Sequence, residues 1–189
     1  LIGFFAVMQA WLQLLDAGMS PSLVRAVAHR QGTLASERST GQMLRSFEII
    51  FLPLAVLCCV AIYLSSPWIA VQWLNAKALQ PQTLIHCISL MGVVIALRLY
   101  ATLYKSGIQG LEQHAWLNVA NIIIATLRYF GGLLLVAQYS QDPVDFFAFQ
   151  VLVGLVETLI FAGRAWQQMP TPHWLTGFNW ALVKPILPF

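Results

Sequence analysis

The sequence predicts an all-α fold, a polytopic bundle of transmembrane helices. Hydrophobic residues make up 59% of the chain and charged residues only 9%, whereas soluble domains carry roughly 25% charged residues. The apolar residues are gathered into runs of about 20 residues, and a helix of that length crosses a hydrocarbon layer of about 30 Å. Short polar segments separate these runs. We therefore expect lipid, rather than water, to surround most of this chain.

Six segments are predicted to cross the membrane as helices, and together they form a single membrane domain, residues 1–189. We expect the sequence to be a fragment, because it begins inside one apolar run at Leu1 and stops inside another at Phe189. The first and last spans are therefore truncated. The predicted spans are residues 1–16 (truncated), 47–71, 83–104, 115–138, 144–163 and 174–189 (truncated).

A short amphipathic helix is predicted between the first two spans. Gly18 ends the first apolar run, and Pro21 suits the first turn of a new helix. From Pro21 to Arg30 the apolar and basic residues fall on opposite faces, which suits a membrane surface. Residues 32–41 are polar and are predicted to connect this helix to the second span. Pro53 lies inside that span and predicts a kink there.

The third and fourth spans are predicted to form a helical hairpin around the polar segment KSGIQGLEQH, residues 105–114. Residues 139–143 then form a short turn before the fifth span. Basic residues are concentrated on one side of this arrangement, which is therefore predicted to be cytoplasmic. The basic residues of that side are Arg25, Arg30, Arg38, Arg45, Lys105 and Arg164, against Lys77 alone on the other.

Three charged residues inside the predicted spans define the candidate site. Arg98 and Glu157 each lie six residues, about 9 Å, from the cytoplasmic ends of their spans. Arg98 therefore either extends to the headgroups or pairs with Glu157. Arg128 lies about 20 Å from one end of its span and about 15 Å from the other, where no carboxylate is expected. We expect Arg128 to line a water-filled or substrate-filled cavity; a partner in a helix outside the sequence or a backbone carbonyl is the alternative.

A cation at this depth would attract anionic cargo. Asn121 lies seven residues before Arg128, on nearly the same helix face, and is predicted to contact the same cargo. Asp16 and Glu157 are the candidates for an ion-pair or ion-coupling role. Small residues are predicted to let helices approach closely, in a packing role. These small residues are Gly92, Ala96, Gly131 and Gly132.

Enzymes, metal proteins and nucleic-acid-binding proteins are not favoured by this sequence. No nucleophile is matched with a base, and the net charge of +3 is small and scattered. The histidines lack the spacing of metal ligands, and the cysteines lie in apolar runs as packing residues. We therefore predict no catalytic residue, metal or cofactor. The residues concerned are His29, His86, His114, His173, Cys58, Cys59 and Cys87.

Two stretches of the chain resemble polysaccharide flippases. LLDAGMSPSLVRAVA, residues 14–28, is similar to the segment after the second helix of that family, and Asp16, Gly18 and Arg25 carry the likeness. YKSGIQGLEQHAWLNVANIIIAT, residues 104–126, resembles the turn between their fourth and fifth helices. The matching residues there are Gly107, Gln109, Gly110, Asn118 and Asn121. The chain would then correspond to helices two to seven of a larger set.

The resemblance implies the O-antigen flippase group of the multidrug, oligosaccharidyl-lipid and polysaccharide exporter superfamily. Members of this group have two lobes of helices around a cavity that opens alternately to each side, and the sequence would form most of one lobe. The implied function is to translocate a polyprenyl-pyrophosphate-linked oligosaccharide across the bacterial inner membrane for surface polysaccharide or lipopolysaccharide O-antigen synthesis. Arg128, Arg98 and Asn121 would contact this cargo. Membrane lipids and other polysaccharide assembly proteins are the further expected partners.

Two other functions remain open at this point. A drug or metabolite antiporter of the same fold would favour intramembrane acids, because its cargo is commonly cationic, whereas this chain has Arg98 and Arg128 against Glu157 alone. A polytopic membrane glycosyltransferase or polymerase would use Asp142 and Asp145 on the outer side. The outer loop between those spans is short for such chemistry.

Overall fold

The computed structural model describes residues 2–15, 19–29, 34–74, 80–139 and 142–168, and every regular element in these ranges is a helix. A π-helical segment, Ile69–Leu74, directly follows the third helix. The α-helices are α1 (Ile2–Leu15), α2 (Met19–Ala28), α3 (Leu34–Trp68), α4 (Pro81–Gly110), α5 (His114–Gln138) and α6 (Pro143–Gln167). The predicted all-α class is confirmed. The predicted span 174–189 lies outside the described residues.

Four helical segments in the described ranges are long and apolar enough to cross a membrane: Thr40–Gln72, Pro81–Gly110, His114–Gln138 and Pro143–Gln167. Their outward faces carry large apolar side chains, such as Leu64, which is 71% exposed. A soluble protein does not expose continuous apolar surfaces of this kind, whereas acyl chains cover them at no cost. The chain is therefore a helical membrane protein.

The helices extend further than the predicted spans on the side that the basic residues mark as cytoplasmic. α3 begins at Leu34, so most of the polar connection predicted at residues 32–41 is helical. α4 continues to Gly110, which leaves only residues 111–113 as the turn before α5. Hydropathy detects only the part of a helix that lies in hydrocarbon, whereas the backbone hydrogen bonds continue equally well through a polar segment. The predicted turn at residues 105–114 was therefore too long.

On the side of the bundle opposite to the basic residues, α4 and α6 begin at residues that favour helix N-termini. Pro81 and Pro143 stand in the first turns of α4 and α6, where a proline's missing N–H removes no helical hydrogen bond. The Asp142 side chain accepts a hydrogen bond from the backbone N–H of Val144 at 2.9 Å and so caps α6.

α4 is the central helix of the described bundle, since it contacts α1, α2, α3, α5 and α6. Its most extensive contacts are with α6 and α3, whereas α5 packs mainly against α6. The predicted hairpin of α4 and α5 is thus adjacent in sequence but is not the main packing unit. The core between α3, α4 and α6 contains Phe47, Phe51, Leu99, Leu103 and Phe161.

Several glycines allow these helices to approach closely. A Cβ added at Gly92 would lie 3.0 Å from Ile62 of α3, and one at Gly131 would lie 2.7 Å from Phe149 of α6. The packing role predicted for both is confirmed. Gly110, at the end of α4, is the tightest case, because its Cβ would lie 2.6 Å from Val27 of α2.

Candidate functional site

Lys105 of α4 and Arg128 of α5 meet at the carboxylate of Glu157 on α6. Arg128 donates from Nη2 to Glu157 Oε2, and Lys105 Nζ lies 2.5 Å from Glu157 Oε1. The Glu157 side chain is only 3% exposed. The expectation that no carboxylate lies at the depth of Arg128 was therefore wrong, as was the alternative pair between Glu157 and Arg98. Glu157 forms its ion pairs with Lys105 and Arg128 instead.

Side-chain length and helix length explain the misplaced partners. Glu157 lies ten residues, about 15 Å, from the end of α6, and Arg128 lies fourteen residues, about 21 Å, from the start of α5. An arginine stem spans most of the remaining 6 Å or so. Lys105, expected in a loop, instead belongs to α4, and its side chain reaches inward to the same carboxylate.

Arg98 neither pairs with Glu157 nor belongs to any other ion pair in the described part of the chain. Its guanidinium carbon lies 5.5 Å from the centre of the Phe5 ring of α1, a cation–π contact. Its Nε is buried and has no hydrogen-bond partner among the described groups. The buried Nε–H group of Arg98 thus has only weak compensation for its lost hydration.

A cavity of about 270 Å³ lies beside both arginines, between α1, α4, α5 and α6. Two guanidiniums, one amide and mainly apolar or aromatic groups surround it. The lining residues are Phe5, Ala6, Arg98, Arg128, Tyr129, Phe146 and Gln150. Arg98 and Arg128 therefore line the same cavity, and Arg128 is also bonded to Glu157.

The charges of this cluster do not balance. Arg98, Lys105 and Arg128 are three cations, and among the described residues Glu157 is bonded to Lys105 and Arg128 but not to Arg98. Arg128 Nε, like that of Arg98, is buried without a hydrogen-bond partner in the described structure. A buried cationic excess with free N–H donors favours an anion beside it, because the low local dielectric strengthens their attraction.

The other predicted site residues lie elsewhere. Asn121 is half-buried on α5 but does not line the cavity, since seven residues separate it from Arg128 by about 10 Å along the helix. Asp16 lies outside the described residues. Asp145 is exposed, and Asp142 serves as the cap of α6.

A second buried acid, Glu48, is a structural centre that the sequence did not single out. Tyr104 OH and Trp166 Nε1 both donate to Glu48 Oε1 at 2.7 Å, and Arg45 Nη1 lies 2.8 Å from Oε2. These bonds join α3, α4 and α6 around a residue that is 2% exposed. The only sequence feature that could have indicated this role is the position of Glu48, a single acid next to Phe47 at the start of an apolar run.

No family model, curated protein or solved structure matches this chain. The likeness to polysaccharide flippases therefore remains a prediction.

Proposed function

We propose that this protein translocates an anionic lipid-linked oligosaccharide across the bacterial inner membrane, as part of surface polysaccharide synthesis. The cavity beside Arg98 and Arg128 would receive the charged phosphate part of the cargo. The observation that carries the proposal is the pair of guanidiniums at one cavity inside the bundle, where Glu157 is bonded to Arg128 and Lys105 and no carboxylate among the described residues pairs with Arg98.

Arg98 is the stronger indicator of an anionic ligand. An arginine at the centre of a membrane helix costs roughly 2.5–3.5 kcal/mol on insertion scales, and more without solvation. Glu157 offsets that cost for Arg128, whereas Arg98 has only the Phe5 ring among the described residues. A phosphate would compensate Arg98, because the planar guanidinium forms two parallel hydrogen bonds to phosphate oxygens.

The size and walls of the cavity suit the phosphate part of a lipid rather than its sugars. A volume of about 270 Å³ falls just below the range of about 300–1,000 Å³ typical of pockets for drug-sized ligands. Phe5, Ala6 and Phe146 provide apolar walls next to the charges. The oligosaccharide would therefore extend beyond this cavity, and the lipid tail would remain in the bilayer.

Cationic cargo is the less favourable alternative. The excess of positive charge at the cavity would repel it. A drug antiporter of the same fold would therefore bind its cationic cargo weakly at this cavity. The described acids offer no compensation there, because Glu157 is already bonded to Lys105 and Arg128.

Complementation of a bacterial strain that lacks polysaccharide flippase activity tests the proposal. Arg98 is the better residue to change, because removing Arg128 would also leave Glu157 with one partner fewer. Arg98→Gln is expected to reduce surface polysaccharide at least about tenfold at an unchanged protein level, which corresponds to the loss of one charge-assisted hydrogen-bonded contact. Arg98→Lys should restore part of the activity if charge alone suffices.

Arg164→Gln is the matched control, since Arg164 bonds to Gln113 at 3.1 Å, near the end of α6, and does not line the cavity. Wild-type export by Arg98→Gln would refute the assignment of this cavity to the cargo.

A further inference from the structure

We infer that Gln150 selects cargo that carries a hydroxyl group next to its anionic group. This inference rests on the proposed function, because it concerns the same cavity. It adds a second recognition element to the two guanidiniums and narrows the ligand class to hydroxyl-bearing phosphate head groups.

Gln150 is buried, polar and incompletely bonded. It lies on α6 with an exposed fraction of 4%, and it lines the cavity together with Arg98 and Arg128. Its Oε1 has no hydrogen-bond partner among the described groups. A buried amide oxygen left without a donor is unfavourable, so a bound group that donates to it would be favoured.

Packing does not account for a polar residue at this position. Gln150 precedes Glu157 by two helical turns, so both residues fall on the inward face of α6. An apolar side chain of similar size would fill the same space and would leave no amide oxygen without a donor. The amide is therefore best explained by what enters the cavity.

The two kinds of lining group recognise different ligand atoms. Guanidiniums only donate hydrogen bonds, so Arg98 and Arg128 select an acceptor such as a phosphate oxygen. The Gln150 carbonyl oxygen only accepts, so it selects a donor. An ammonium group would also donate, but the cationic excess repels it. A neutral hydroxyl beside the phosphate, as in a sugar phosphate or a glycerol phosphate, satisfies both requirements.

A pair of lipids that differ only in hydroxyl groups tests this inference. Phosphatidylglycerol and phosphatidylpropanol both carry one phosphodiester charge and a three-carbon head group, but phosphatidylpropanol lacks the head-group hydroxyls. Binding of each lipid to the purified protein in detergent would be measured by titration with native mass spectrometry. Wild-type protein is expected to bind phosphatidylglycerol about fivefold more tightly, the effect of about one hydrogen bond.

Gln150→Leu is expected to remove that preference and to bind both lipids with the affinity that wild-type protein has for phosphatidylpropanol. Gln138→Leu is the matched control, because Gln138 is exposed at the end of α5 and does not line the cavity; it should keep the preference. Equal binding of the two lipids by wild-type protein, or a preference that survives Gln150→Leu, would overturn the role of Gln150.

The Arg98→Gln variant separates this inference from the proposed function. If Arg98→Gln weakens both anionic lipids while wild-type protein does not distinguish them, the anion site stands and the role of Gln150 is refuted. If neither anionic lipid binds more tightly than phosphatidylcholine and Arg98→Gln changes nothing, the anion site and the role of Gln150 both fail.

Discussion

Glu157 is the residue that allows α4 and α5 to keep cations inside the bundle. Its two carboxylate oxygens accept from Lys105 and Arg128. Glu157→Gln keeps the size of the side chain but removes the negative charge from two buried or half-buried cations. We expect it to lower the free energy of unfolding by about 3–5 kcal/mol, as is typical when one partner of a buried ion pair is removed. Thermal unfolding in detergent measures this effect.

Asp145→Asn is the control for this prediction, since Asp145 is an exposed acid on the same helix and its substitution should change stability little. Double-mutant cycles then identify the partners. When Arg128→Gln and Glu157→Gln are combined, the decrease in the free energy of unfolding should differ strongly from the sum of the two single decreases. For Arg98→Gln combined with Glu157→Gln, the decrease should be closer to that sum. A stable Glu157→Gln protein would show that the ion pairs contribute nothing to the fold.

At the residue scale, the sequence singled out Arg98, Arg128 and Glu157 as charges inside the predicted spans, but it did not reveal their partners. Counting residues locates the backbone, whereas Arg128 and Lys105 reach Glu157 through long side chains. Gln150 and Glu48 could not be assigned, because a lone polar residue in an apolar run does not show which neighbour it faces.

At the element scale, the sequence predicted where the helices lie along the chain, but it did not predict which helices pack against each other. Hydrophobicity marks the helices, but both the lipid-facing and the core-facing sides of a membrane helix are apolar. No amphipathic pattern therefore indicated that α4 would pack chiefly against α6 and α3 rather than against α5. Glycines gave a better signal, since Gly92 and Gly131 do lie at close helix contacts.

Gly110 is expected to fix the position of α2 against α4. Gly110→Ala would place a Cβ 2.6 Å from Val27 Cβ and 3.0 Å from the carbonyl oxygen of Val24. Because neither atom belongs to the far end of a flexible side chain, the helices must separate. We expect the free energy of unfolding to decrease by about 1–3 kcal/mol, which is typical of overpacking. A lower midpoint of thermal unfolding would show this decrease.

Gly163→Ala is the matched control for this substitution. Gly163 is also helical, but no atom lies within 4 Å of the added Cβ, and alanine forms helices better than glycine. This variant should be neutral or slightly more stable. Equal effects of the two substitutions would contradict the close contact between α2 and α4.

At the scale of the whole molecule, the bundle has two polar ends, and the basic residues predict which end faces the cytoplasm. The turn at residues 111–113 follows α4, and Asp142 precedes α6. α5 is long and apolar enough to separate them by a membrane. Single cysteines at Glu112 and Asp142, both exposed, should therefore be labelled from opposite sides.

The labelling would use cells and inverted vesicles with a charged maleimide, in a background where Cys58, Cys59 and Cys87 are replaced by alanine. Glu112→Cys should react only in inverted vesicles and Asp142→Cys only in intact cells. Labelling of both positions from the same side would contradict the predicted topology of α5.

The central claim is that the cavity beside Arg98 binds the phosphate group of a lipid cargo. Its most direct test is the affinity of the purified protein for a polyprenyl pyrophosphate, compared between wild type, Arg98→Gln and the control Arg164→Gln. We predict that Arg98→Gln weakens binding at least about tenfold, in line with the loss of a hydrogen-bonded charge contact, while Arg164→Gln binds like wild type. Equal affinity in all three proteins would contradict the claim.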